Sequence, residues 1–155
     1  MIVELSWWEF IQGATAGIYR RVLALQNKRG DRYGAPALTY WETDIESACA
    51  EMALAKALGL YWQSVVTHPE VLEGDVGSWQ VRWTKRPDGR LILHEADRND
   101  QRYTLIVGQS PVFDIVGWIL GKDGKQPQYW FEGDGRPAFF VPRSALHPIM
   151  RQLEL

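Results

Sequence analysis

The sequence predicts an α+β fold, and three observations carry that reading. Two stretches of helical periodicity come first, four or five short strand-like stretches follow, and Gly- and Pro-rich turns separate them. Helices followed by a run of strands favour α+β, or a mixed sheet with helices on its faces. At 155 residues the chain fits a single domain, 1–155, long enough to bury a core without disulfide staples.

The first helix is expected over 7–26. Ser6 with Glu9 has a capping-box pattern, and Phe10, Ile11, Ala14, Ile18, Val22 and Leu25 recur at helical spacing. Residues 27–36, with Gly30, Gly34 and Pro36, read as a loop. Arg20, Arg21, Lys28, Arg29 and Arg32 make this the most basic section, either a solvated surface or a patch that tracks phosphates. A second helix opens at Thr43, paired with Glu46 in another capping-box pattern, and stops at Gly59. Ile45, Ala48, Cys49, Met52 and Ala53 form its apolar stripe. Glu51 falls at the flank of that stripe, facing solvent or tucked along a sheet edge; helical geometry alone favours solvent.

Residues 61–67 read as a first strand and 68–74 as a loop. In 79–84, Trp79, Val81 and Trp83 alternate with Gln80, Arg82 and Thr84, the pattern of a half-buried strand with its tryptophans to the core. Asp75 stands at a Gly-bracketed turn just before it. Pro87, Asp88 and Gly89 signal a turn, which makes 91–93 the return strand of a hairpin. Residues 95–102 are a polar loop. Residues 103–107 and 112–120 are apolar strands, the second bent at Gly117, and 137–142 is a short last strand. Residues 121–136 are turn-rich and carry Tyr129, Trp130 and Phe131; a short helix is expected after Ser144.

Composition removes several function classes. A formal net charge of -2 argues against a strongly basic nucleic-acid coat, though not against a local basic groove. One cysteine, Cys49, excludes an intrachain disulfide framework and suits a reducing cytoplasm. No apolar run reaches the length of a membrane span, so no membrane partner is expected, and the N-terminus, with Glu4 and no basic stretch, does not read as a signal peptide. Eight tryptophans are many for this length; core filling is the expected use, base stacking the sharper one. There is no phosphate-cradling Gly-rich loop with its Lys, no dinucleotide fingerprint, no nucleophile-elbow serine, and no zinc spacing among His68, His94 and His147.

What remains is Glu51, Asp75, Gln80 and Arg82: two acids, an amide oxygen and a cation around one strand end, residue types suited to a divalent cation and a phosphate. The helix DIESACAEMALAKALGLYW, then GDVG, then the strand QVR, resembles the PD-(D/E)XK nuclease superfamily, and YTLIVGQSPVFDIVGWILG is similar to the two strands that follow in such domains. The combination also resembles small proteins encoded by tailed bacteriophages, which would put it in a host cytoplasm. The resemblance covers about 43–120, leaving the helix 7–26 before it and 121–155 as an extension. It implies a restriction-endonuclease-like central mixed sheet flanked by helices, and a magnesium- or manganese-dependent hydrolysis of phosphodiester bonds in DNA.

Carried over residue by residue, Asp75 and Glu51 match acidic metal ligands, Gln80 the oxygen ligand of the third position, and Arg82 the motif's lysine. Two departures matter. Gln80 is neutral, which weakens cation affinity. Arg82 keeps its proton near neutrality, so it can clamp a phosphate oxygen but not act as a base. Arg20, Arg21, Lys28, Arg29, Arg32, Lys85, Arg86 and Arg90 would track the DNA backbone. His94 and Asp97 are either solvated loop residues or additions to the site from the next strand end. The alternative is a catalytically inactive nuclease-like fold that binds protein or nucleic acid, using the aromatic surface at 129–131.

Overall fold

Ser6 starts the first helix as its sequence pattern requires: its side chain accepts from the Glu9 backbone, and the Glu9 carboxylate accepts from the Ser6 N–H at 2.6 Å. This helix, α1, is Trp7–Gln26. A short strand, β1 (Ile2–Glu4), precedes it. The computed structural model describes residues 1–27, 39–64, 74–133 and 136–150. The expected loop 28–36, the strand expected at 61–67 beyond residue 64, and His68 lie outside the described residues in whole or in part; residues 61–64 are not in a strand.

The second helix, α2 (Tyr40–Leu58), begins three residues before the expected start. Thr39 is its N-cap and makes no side-chain cap bond. The Thr43–Glu46 capping box does not form, because both residues lie inside the helix and Glu46 is used elsewhere. Its carboxylate accepts from the Ser110 N–H at 2.8 Å and the Ser110 hydroxyl at 3.0 Å, pinning a turn of the sheet. The helix ends as expected at Gly59, whose φ of 64° is a left-handed conformation that glycine adopts without strain.

Eight consecutive residues of α2, 48–55, are buried, so this part of the helix has no solvent face. One side packs on a sheet and the other on α1. The second contact is close because α1 presents glycines to it. A Cβ at Gly17 would stand 2.5 Å from the Asp44 carbonyl oxygen, and one at Gly13 would stand 2.8 Å from Cys49 Sγ. Of the large apolar residues of α1, Phe10 packs against the α2 core, whereas those on the opposite face do not. Its buried residues are Gly13, Ala16, Gly17 and Arg21, while Ile11, Ile18, Val22 and Leu25, four of the residues at helical spacing, are exposed.

The expected alternation in β2 (Trp79–Thr84) is present: Trp79, Val81 and Trp83 pack toward the α2 core. β4 (Arg102–Gln109) is buried on both faces over 103–107, and β5 (Val112–Leu120) alternates. The main sheet has the order β1-β5-β4-β2, with β2 parallel to β4 and the other pairs antiparallel. The β4–β5 register shifts at Leu105/Ile106, next to Gly117, where the Leu146–His147 backbone closes in. The expected hairpin between β2 and β3 (Leu91–Leu93) is absent. Leu91 and Leu93 are fully buried, and they draw β3 into a second sheet with β7 (Ala138–Val141) and β6 (Trp130–Phe131). Arg143 holds the intervening turn, donating to the carbonyls of Gly89 and Pro87. Trp130 and Phe131 lie against Phe139 and Phe140 of the same small sheet.

The architecture is thus mixed α+β among the described residues: a helical layer, a four-stranded mixed sheet and a three-stranded antiparallel sheet. One core lies between the helices and the main sheet; the other, around Leu91, Leu93, Tyr103, Leu105 and Val141, lies between the two sheets. Among the described residues no helix is long and apolar enough to cross a membrane.

The α1–α2 contact depends on the missing Cβ at Gly17. Gly17→Val should lower the urea-unfolding free energy by about 1–3 kcal/mol through overpacking. The exposed Gln12→Ala should change it by less than about 0.5 kcal/mol.

Candidate functional site

Glu51 lies in the stretch of α2 that has no solvent face, and it is 5% exposed. The expectation that it faces water is overturned by the close approach of α1. Arg20, one turn beyond Gly17, reaches into the same interface and donates to both Glu51 oxygens, at 2.6 and 2.7 Å. The Trp62 indole N–H adds a bond to Oε2 at 3.2 Å. Burial raises the Glu51 carboxyl to about 7, and the Asp75 charge adds to the rise; the Arg20 and Trp62 bonds offset only part of it. Burial works against the Arg20 charge too, but the Glu51 carboxylate more than restores it, so the guanidinium is held above its ordinary value.

Asp75 sits at a bend just before a tight turn over 76–79. Val76 and Trp79 exchange backbone bonds at 3.1 and 3.0 Å across it, and Gly77 takes a φ of 56°. This turn brings the Asp75 carboxylate back along the edge of β2, where Oδ2 accepts from the Val81 N–H at 2.7 Å. Burial raises the Asp75 carboxyl, against the lowering influence of that N–H and of Arg82 and Arg20. Asp75 therefore feels charges on two sides: Glu51 with Arg20 from the helices, and Arg82 from the strand.

Arg82 projects from the other face of β2. Its guanidinium lies over the Tyr103 ring, 5.0 Å from the centroid, and donates to Asp97 Oδ1 at 2.9 Å. Asp97 Oδ2 accepts from the His94 backbone N–H at 2.9 Å. Asp97 is consequently not a solvated loop residue but the anchor of Arg82, with a side chain 13% exposed. Gln80 shares the Arg82 face, opposite Tyr103 in the β2–β4 register, whereas Glu51 is on the α2 side. Strand alternation thus separates Gln80 from Glu51. The expected grouping of Glu51, Asp75 and Gln80 is reduced to the two acids, with Arg82 in electrostatic reach of Asp75.

The expected DNA-tracking residues divide differently. Arg20 and Arg21 are turned inward by the same glycine contact; Arg21 pairs with Asp44 at 2.5 Å and lies over the Tyr40 ring. Lys85 pairs with Glu42 at 3.0 Å, Arg86 with Asp88 at 3.5 Å, and Arg90 is exposed. Lys28, Arg29 and Arg32 lie outside the described residues.

Two carboxylates agree in number with what magnesium takes from a protein when substrate and water supply its other ligands. Arg20 competes for the same Glu51 lone pairs, so a cation would have to displace it from at least one oxygen. Among the described residues no group of three or more His, Cys, Asp and Glu side chains is placed to hold a metal ion.

Arg20 and Trp62 were not expected here. A signal for Arg20 existed: Gly13, Gly17 and Arg20 fall at i, i+4 and i+7, one narrow helix face of small residues ending in a cation. A signal for the burial of Glu51 existed too, since it is a lone acid inside the run ACAEMALA. No protein-family model matches the chain, and neither does any curated protein or solved structure.

The raised carboxyls set a pH dependence. Glu51 binds its proton more tightly folded, at about 7, than its ordinary 4.5, so its contribution is complete below pH 4.5 and is lost as pH rises to about 7. Wild-type stability should fall across that window by roughly 3 kcal/mol more than that of Glu51→Gln, in urea unfolding repeated at successive pH values. Asp75, raised above 3.8, acts in the same direction from the lower end.

Proposed function

We propose that the chain hydrolyses phosphodiester bonds in DNA with a magnesium or manganese ion, as a PD-(D/E)XK-like nuclease. The observation that carries this reading is the electrostatic influence of Asp75 on the buried Glu51 carboxyl. Two acids from separate elements, a helix and a pre-strand turn, are close enough for the Asp75 charge to raise the Glu51 carboxyl. A buried carboxyl beside a half-buried one, both with raised pKa values, suits a divalent cation, which removes their mutual repulsion.

A bound ion would activate a water and offset charge on the scissile phosphate. The chain's residues do the rest. Asp75 keeps its position through the Val81 N–H and offers its other oxygen. Glu51 offers whichever oxygen Arg20 gives up. Arg20, once released on one side, presents N–H donors to a phosphate oxygen a short reach from both acids. Arg82, flat on Tyr103 and steered by Asp97, stabilises the charged form of Asp75 and cannot serve as base.

A second reading has its own observation. Both Glu51 oxygens are already bonded to Arg20, and Arg82 to Asp97. A cluster satisfied in this way fits a nuclease-like domain that binds a protein or nucleic acid without cleaving it.

One pair of measurements separates the two. Wild type with magnesium or manganese should cleave single-stranded, duplex or branched DNA. Asp75→Asn, which keeps an oxygen for the Val81 N–H, should stay folded and lose about 100-fold or more of the activity. A wild type inert on all three substrates with both metals, and giving no binding heat with either ion, removes the nuclease reading and leaves the binding module.

A further inference from the structure

The outer face of α1 carries a feature independent of that site. Trp8, Ile11, Thr15, Ile18, Val22 and Leu25 are spaced 3, 4, 3, 4 and 3 residues apart, the a and d positions of consecutive heptads. All six are exposed, with Trp8 at 77%, Ile11 at 53% and Leu25 at 57%. Trp7 and Tyr19 flank the seam at 69% and 59%. Thr15 spends its hydroxyl on the Ile11 carbonyl at 2.7 Å, which leaves its methyl to the surface. The seam runs the length of the helix, about 26 Å at 1.5 Å per residue.

Among the described residues no charge interrupts this face. Glu9 turns to Ser6 and Lys56, while Arg20 and Arg21 point into the α2 contact. We propose that this seam is the interface of a two-fold homodimer, α1 packing on α1 of a second copy.

Three features select a second copy as the occupant. A 3.5-residue apolar repeat is matched by another helix with the same repeat, and the chain supplies one. An uncharged surface meets its own copy without like-charge repulsion, as a two-fold interface requires, and gives an acidic or basic partner nothing to read. The exposed area of the seam and its flanks is on the order of 700 Å² per copy, close to the ~800 Å² per partner of a stable specific interface. A lipid surface fits less well, because helices that lie on membranes carry Lys and Arg on their polar face, and the arginines of α1 are paired internally.

Sedimentation velocity and light scattering on the full chain across a micromolar range test this directly. The wild type should have twice the 17.8 kDa chain mass. Ile18→Asp and, separately, Ile11→Lys should be monomers with unchanged helical circular dichroism, since both positions are exposed in the single chain. Met150→Ser, at an exposed apolar residue off the seam, should remain dimeric. The proposal is overturned by a monomeric wild type, by folded seam variants that stay dimeric, or by a wild type that floats with neutral phosphatidylcholine vesicles as a monomer.

Discussion

The rest of the structure depends on a carboxylate placed where water cannot reach it. Glu51 is enclosed by α1, α2 and Trp62, and the Arg20 guanidinium, helped by the Trp62 indole N–H, makes that position tolerable for a charge. Buried pairs of this kind add little net stability compared with apolar packing, yet removing one partner strands the other. The constraint is therefore strict: α1 must approach α2 closely enough for Arg20 to reach, and the glycines at 13 and 17 provide the approach. The same contact leaves Ile11, Ile18, Val22 and Leu25 of α1 on the outside and turns Arg20 and Arg21 to the inside. One steric fact thus decides the burial of an acid, the use of two arginines and the character of an exposed helix face.

A domain built only for stability would fill this interface with aliphatic side chains. The chain instead keeps an acid there and sets a second acid, Asp75, within electrostatic range. Asp75 is itself held by the backbone N–H of Val81, at the edge of β2, between the helical layer and the face that carries Arg82. Two networks, Arg20–Glu51 and Arg82–Asp97, flank this carboxyl from opposite faces of the sheet. That placement is what a phosphodiesterase reading requires of its acids, and the completeness of the bonding around them is what a binding module would show.

Local features were legible in the sequence where local chemistry decides them. The Ser6–Glu9 capping box, the stop at Gly59, the alternation of 79–84 and the strand 112–120 all appear as expected. The α+β class follows from the order of these elements. Tertiary competition overrode the pattern elsewhere. Glu46 looked like a capping residue but is claimed by Ser110, 64 positions away. Leu91 and Leu93 looked like the return of a hairpin but are drawn to Val141 and Tyr103. In α1 the apolar residues at helical spacing divide, Phe10 and Ala14 packing on the core and Ile11, Ile18, Val22 and Leu25 staying exposed, because the backbones approach across Gly13 and Gly17. Of the candidate site residues, Asp75 and Glu51 were singled out from residue type and order, while alternation along β2 puts Gln80 on the far side of the sheet from α2. Arg20 pairs with Glu51 and read as surface charge because nothing in its immediate neighbours announces an ion pair 31 residues away.

The central claim is that the half-buried Asp75 and the buried Glu51 act on each other electrostatically. The most direct measurement is a side-chain carboxyl NMR titration of Glu51, in the wild type and in Asp75→Asn. A wild-type midpoint of about 7, moving lower once the Asp75 charge is removed, is the expected result. A midpoint at the ordinary 4.5, or one that does not respond to Asp75→Asn, would contradict it.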